Sequence, residues 1–128
     1  AWRIGDLGFE MKLTAKVPQI IREGIAELAT KLLAAIGLRV RDVDYFAIHP
    51  GGKRILEVIE QVFALDKQDN RFAYEVLRQF GNMSSPTVLF VLKKLWQSLR
   101  PKDNGKRILS FAFGPGLTLE SMLLRIIY

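Results

Sequence analysis

The sequence predicts an α/β fold: a mixed β-sheet covered by helices on both faces and closed by a C-terminal β-hairpin. Three observations carry that expectation. Short strand-like runs alternate with longer segments whose apolar residues recur at helical spacing, the pattern of strand-helix-strand units. The run Val43–Ile48 is largely apolar, as a strand buried on both faces of a sheet requires. Near the end, the runs Ile108–Phe113 and Leu117–Ile127 flank Gly114-Pro115-Gly116, a sharp reversal between two neighbouring strands.

Taken in order, residues 7–14 alternate apolar Phe9, Met11 and Leu13 with polar Glu10, Lys12 and Thr14, the period-2 pattern of a half-buried strand at a sheet edge. Pro18 suits the first turn of a helix, where its missing N–H costs nothing. That helix carries Ile21, Ile25, Leu28, Leu32 and Ile36 as one apolar stripe, and Gly37 supplies its stop. Val43–Ile48 then runs directly into His49-Pro50-Gly51-Gly52, and the next helix presents Ile55, Ile59 and Val62. A third begins near Asp69-Asn70, places Phe72, Val76 and Phe80 on one face and ends at Gly81. Ser84-Ser85-Pro86 offer cap and first-turn residues to a fourth, more buried helix bearing Val88, Leu92, Leu95 and Leu99. Its start, Val88 to Leu92, is a run of consecutive apolar residues, which point in every direction around a helix. Lys102-Asp103-Asn104-Gly105 is a turn. The expected order is strand, helix, strand, three helices, strand, strand.

The 128 residues have the length of a single domain, expected to span 1–128. With 49% hydrophobic and 25% charged residues the chain can bury a core, which excludes a disordered protein. No apolar run approaches the ~20 residues that cross a bilayer, so no membrane span is expected. The opening Ala1-Trp2-Arg3-Ile4-Gly5-Asp6 shows neither a signal-peptide pattern nor an initiator Met, as expected of a chain that starts inside a longer gene product or of one that has been processed. Having no cysteine, the chain excludes a disulfide scaffold, a thiolate zinc site and a cysteine nucleophile of its own, and it fits a reducing, cytoplasmic setting. A single histidine makes a His-rich metal site impossible, so no metal is expected. Lys and Arg number 19 against 13 Asp and Glu, a net charge of +6. The basic residues are scattered pairs such as Lys53-Arg54 and Lys93-Lys94, with one cluster at Arg100, Lys102, Lys106 and Arg107. No aromatic recognition motif interleaves with them, so a solvated surface is expected rather than a nucleic-acid partner.

Two residues could carry chemistry. His49 stands at the carboxyl end of the expected central strand, where open α/β sheets place their ligands. The glycines behind it let the backbone approach a ligand, and the next helix aims its N-terminus there. A hydrogen-bonded structural histidine fits the same position. Asn82 lies in the loop Gly81-Asn82-Met83-Ser84-Ser85, where ordinary turn chemistry would account for it. Beside an imidazole, however, its amide would complete a hole for an oxyanion or enolate.

Three ordered segments then form a pattern. His49-Pro50-Gly51-Gly52, Gly81-Asn82-Met83-Ser84-Ser85 and Phe113-Gly114-Pro115-Gly116-Leu117-Thr118 resemble the C-terminal signatures of the chalcone and stilbene synthases, type III polyketide synthases of the thiolase superfamily. The likeness includes Trp2-Arg3-Ile4-Gly5 and Phe9-Glu10-Met11 and so extends over nearly the whole chain. It implies a thiolase-like half of a two-half acyltransferase, naringenin-chalcone synthase-like in class, that condenses an acyl-CoA starter with malonyl-CoA. The other, N-terminal half would bring the cysteine nucleophile, making the present chain inactive alone. His49 and Asn82 would polarise the malonyl thioester carbonyl and stabilise the enolate left by decarboxylation, and His49 would help hold the cysteine as thiolate. Ser84, Gly114, Pro115 and Gly116 would line the substrate pocket, while Gly52 and Arg54 would face the coenzyme A arm. Coenzyme A thioesters would be substrates, no resident cofactor would be needed, and the full-length protein would be a homodimer. Lys53-Arg54 replace the family's Pro-Ala, and Ala112 replaces the first glycine of its Gly-Phe-Gly-Pro-Gly loop, changes that bear on cavity shape. Two other readings compete. A ketoacyl synthase III-type condensing enzyme shares the His-Asn pair but favours His-Gln-Ala-Asn where this chain has His-Pro-Gly-Gly. A non-catalytic binding or scaffold domain on the same fold would account for the missing cysteine but not for the retained pair.

Overall fold

A computed structural model describes residues 2–5, 8–11, 17–84, 86–114 and 118–128. Its central sheet has the strand order β3-β4-β5, formed by β3 (Tyr45–Ile48), β4 (Arg107–Gly114) and β5 (Thr118–Arg125). β3 runs parallel to β4, with Tyr45 opposite Ile108 and Ile48 opposite Phe111. β5 returns antiparallel, with Arg107 opposite Arg125 and Gly114 opposite Thr118. A parallel pair cannot be joined by a tight turn, and the crossover here holds the helices α2 (Lys53–Phe63), α3 (Arg71–Phe80) and α4 (Thr87–Ser98).

Successive strand residues point to opposite faces. Phe46, Ala47 and Ile48 are all buried, as are Ile108, Leu109, Ser110 and Phe111, so both faces of β3 and β4 are covered. α4 packs on β3 and β4, α3 reaches β3, and α1 (Val17–Ala34) packs against β5 and α2. This is the expected mixed sheet between helices, closed by the expected hairpin.

The elements differ from the sequence reading in instructive places. The amino-terminal strand is no edge of the main sheet: β1 (Trp2–Gly5) and β2 (Gly8–Met11) pair with each other in a separate two-stranded antiparallel sheet. An alternating run marks a strand but does not name the strand it pairs with, and here the partner is the neighbouring stretch of chain. Residues 12–14, the end of the expected strand, lie outside the described residues, as does Leu117 at the start of the last one. The buried stripe of α1 is Ile21, Ile25, Ala29 and Leu33, with Leu28 and Leu32 at its margin. Ile36 lies beyond the helix end in the turn at Gly37 (φ 72°) and is 55% exposed. On α4 the buried apolar positions are Val88, Val91 and Leu95; Leu92 is only half-buried, and Leu99 follows the last helical residue. Phe80, at the end of α3, is exposed and packs against Phe90 in a tilted pair, 5.4 Å between ring centres and 48° between planes. In each case a large apolar residue sits at or past a helix end or beside the covered stripe, which periodicity alone does not resolve.

One buried carboxylate ties the strands in register. Asp103 accepts hydrogen bonds from Tyr45 Oη at 2.6 Å, Arg100 N–H at 2.8 Å and Lys106 Nζ at 3.1 Å. The Tyr45 bond, followed by the Arg100 N–H, holds its carboxyl down to about 2. The start of β3 is thereby pinned to the turn that feeds β4.

Candidate active site

β3 and β4 are parallel, so their carboxyl ends lie at one edge of the sheet, and the site is built there. His49 follows the last residue of β3, and its N–H donates to the Phe111 carbonyl at 2.9 Å, which extends the ladder by one step. Its side chain is only 3% exposed. Burial lowers its pKa below the ordinary 6.5, because an imidazolium loses hydration there. The neutral ring is therefore the stable form at pH 7.

The turn behind His49 brings backbone against the ring. A Cβ added at Gly51 would lie in ordinary contact with the ring, 3.6 Å from His49 Cδ2 and 3.8 Å from Nε2, but only 3.1 Å from Ile55 Cδ1, so it is Ile55 that a side chain here would crowd. Gly52 then takes φ 154° and ψ 160°, a conformation that is essentially glycine's alone, and serves as N-cap of α2. Arg54 and Lys53 project from the first turn of α2 as exposed side chains.

Asn82 reaches the same turn from the other side of the crossover. α3 ends at Gly81 (φ 68°), and Asn82 Nδ2 makes a long, 3.4 Å bond to the Gly51 carbonyl. Asn82 Oδ1 accepts the Ser84 N–H at 2.9 Å, an Asx-type turn that fixes which end of the amide is the acceptor. The ring of His49 and the NH2 group of Asn82 thus converge on Gly51, one buried, the other exposed. Ser84 is exposed, with its backbone in the left-handed region at φ 67°. Gly114 ends β4 three residues past Phe111, which places it at the His49 edge of the sheet, roughly 10 Å further along the strand. Pro115 and Gly116 lie outside the described residues.

Thr87 is the residue the sequence did not single out. The cap of α4 was expected from Ser84-Ser85-Pro86; instead Pro86 occupies the N-cap with no side-chain cap bond, and the buried Thr87 hydroxyl bonds the loop. Ser85 lies outside the described residues. Concavities of about 500 and 900 Å³ lie elsewhere, the first along α3 at Lys67, Arg71 and Arg78, the second between α4 and the chain end at Leu95, Trp96 and Ile126. Neither is lined by His49 or Asn82. Among the described residues, no three His, Cys, Asp or Glu side chains gather as a metal site needs, and no helix is long and apolar enough to cross a membrane.

The sign of the pH effect follows from the burial of His49. Above pH 6.5 the imidazole is neutral in the folded and unfolded chain alike, and the fold bears no penalty. As pH falls through 6.5 the unfolded chain takes up the proton first, so stability declines until the lowered folded pKa is passed. The slope from one such group is at most about 1.4 kcal/mol per pH unit. Urea unfolding of the wild type should therefore weaken faster below pH 6.5 than that of His49→Asn; equal slopes would show that the ring titrates alike in both states.

The fold, a mixed sheet between helices, is thiolase-like. The chain belongs to the family described as chalcone and stilbene synthases, C-terminal domain, whose profile matches residues 1–128. It is 36% identical over 120 residues to the alpha-pyrone synthesis polyketide synthase-like Pks18 of Mycobacterium tuberculosis, covering 94% of this chain and 30% of that protein. Type III polyketide synthase A of Arabidopsis thaliana is 34% identical, over 96% of this chain and 32% of its own length. Among solved structures, PKS-I of the brown alga Ectocarpus siliculosus superposes with a TM-score of 0.87 at 33% identity, over 99% of this chain and 35% of that one. The C-terminal type III polyketide synthase domain of Steely1 from Dictyostelium gives 0.82 at 31% identity, covering 99% and 36%. The chain spans about a third of the length of each of these relatives.

Proposed function

We propose that this domain supplies the histidine and asparagine of a Cys-His-Asn site in a type III polyketide synthase, an acyltransferase that condenses acyl-CoA starters with malonyl-CoA. The observation that carries the reading is the convergence of the His49 ring and the Asn82 amide on Gly51 at the carboxyl end of β3. An amide NH2 has two N–H donors, and the long bond to Gly51 engages one of them. The other, with an N–H of the neutral His49 ring, would bind the thioester oxygen of malonyl-CoA. The bond between the α-carbon and the carboxylate then breaks, carbon dioxide leaves, and the electron pair is held as an enolate on that oxygen. The enolate carbon attacks the acyl group carried by a cysteine of the N-terminal half, and the cysteine leaves as thiolate, a form that His49 also favours. Donors fixed in advance stabilise such developing charge far better than water can.

Ser84 and the loop Gly114-Pro115-Gly116 would line the pocket that shapes the product, and Gly52 and Arg54 would meet the coenzyme A arm at the start of α2. Coenzyme A thioesters are the substrates, and the reaction asks for no resident cofactor. The complete enzyme, a cytoplasmic homodimer, encloses the site between its halves; the exposure of Asn82, and of Leu89 and Phe90 on α4, supports a covering partner. The test is complementation. Alone with acyl-CoA and malonyl-CoA, the chain should release no carbon dioxide and form no thioester-linked adduct by mass spectrometry; with the N-terminal half of the enzyme added in trans, both should appear. Steady turnover by the chain alone would overturn the reading.

A further inference from the structure

We propose that Thr87 is a positioning residue that sets the Asn82 amide, an inference that rests on the role given above to Asn82. The Thr87 side chain is fully buried (0% exposed) in the first turn of α4. Its Oγ1 donates to the Ser84 carbonyl at 2.5 Å and accepts the Met83 N–H at 2.8 Å, and its own N–H also donates to Ser84 O at 3.0 Å. One side chain therefore holds the backbone on both sides of the Ser84 N–H. That N–H is the group that occupies Asn82 Oδ1, and so it decides that the NH2 end of the amide faces the Gly51 carbonyl. Ser84 sits at φ 67°, which a residue with a Cβ does not adopt without support from its surroundings. Without the hydroxyl, Met83 N–H loses its bond and Ser84 O keeps a single one. The loop can then relax out of the left-handed turn, and the amide is free to swing or flip.

Valine has the shape of threonine without the hydroxyl, and serine has the hydroxyl without the methyl, so the two separate bonding from packing. In the full-length synthase carrying this domain, kcat and KM for carbon dioxide release from malonyl-CoA would be measured for Thr87→Val, Thr87→Ser, Asn82→Ala and the double variant Thr87→Val/Asn82→Ala. We expect Thr87→Val to lower kcat by about 10–100-fold with KM little changed, since misplacement of a catalytic group costs rate rather than affinity. Thr87→Ser should recover most of the loss. A residue acting through Asn82 has nothing left to contribute once Asn82 is gone, so the double variant should be no slower than Asn82→Ala. Wild-type kcat in Thr87→Val, or losses that multiply in the double variant, would overturn the proposal. Should Thr87→Val fail to fold, Thr87→Ala carries the same comparison, with unfolding midpoints showing which variants are intact. A wild-type rate in Asn82→Ala marks a different failure, that of the His-Asn site itself.

Discussion

Alanine at His49 or at Asn82 in the complete enzyme should each lower malonyl-CoA decarboxylation by about 10²–10³-fold, the usual cost of deleting one fixed donor to a developing oxyanion. The size of the effect comes from what a donor must do there. The enolate oxygen gains its charge as the carbon–carbon bond breaks, so a donor already aimed at it lowers the barrier without first having to reorient. His49 is held by its place in the β3–β4 ladder and by contact with Gly51; Asn82 is held by the Asx-type turn to Ser84. Groups acting on the same oxygen do not contribute independently, so the double variant should fall well short of the product of the two losses. Carbon dioxide release from malonyl-CoA is the measurement, because it isolates the step from acyl loading on the cysteine. Near-normal release by both variants would return His49 and Asn82 to structural roles, His49 as a buried ring that closes the ladder and Asn82 as a turn residue.

What the sequence made legible, and what it did not, divides along physical lines. Strands buried on both faces leave a plain trace: Val43–Ile48 and Ile108–Phe113 contain the observed β3 and most of β4, and Gly114 does end a strand paired directly with the next. His49 could be placed at a strand end because an apolar run stops there and a glycine pair begins. That His49 and Asn82 would both adjoin Gly51 could not be read from spacing, since it depends on how α2 and α3 fold back. Resemblance supplied that pairing, and geometry then showed the two residues at Gly51. Pairing partners were equally hidden, and β1 went unplaced beside β2 because alternation does not say which strand lies next door. Thr87 left no signal at all. A threonine after Ser-Ser-Pro reads as one more cap residue, and only the backbone path of Met83 and Ser84 reveals which hydroxyl holds the loop.

The largest loss of stability should come from Phe111→Ala. Phe111 is fully buried in the middle of β4 and stacks on Phe63 at 5.7 Å with an interplanar angle of 11°. Phe111 also stands opposite Ile48, and its carbonyl accepts the His49 N–H. Truncating a buried Phe typically costs about 3–5 kcal/mol, from lost transfer energy and the cavity left behind, to which the aromatic pair adds about 0.5–1.5 kcal/mol. Domains of this size have a total stability of about 5–15 kcal/mol, so a loss of this order would consume a large share of it. The comparison residue is Trp96, a larger side chain that is 74% exposed on α4. Trp96→Ala removes little buried surface and should stay within about 0.5 kcal/mol of wild type. Urea unfolding of the two variants at one protein concentration decides the matter, since size alone would rank Trp96 first and burial ranks Phe111 first. A Phe111→Ala variant within about 1 kcal/mol of wild type would mean that the β3–β4 core collapses around the gap at little cost. The sheet end that carries His49 would then owe its position to the hydrogen-bonded ladder and the Gly51 turn rather than to this packing.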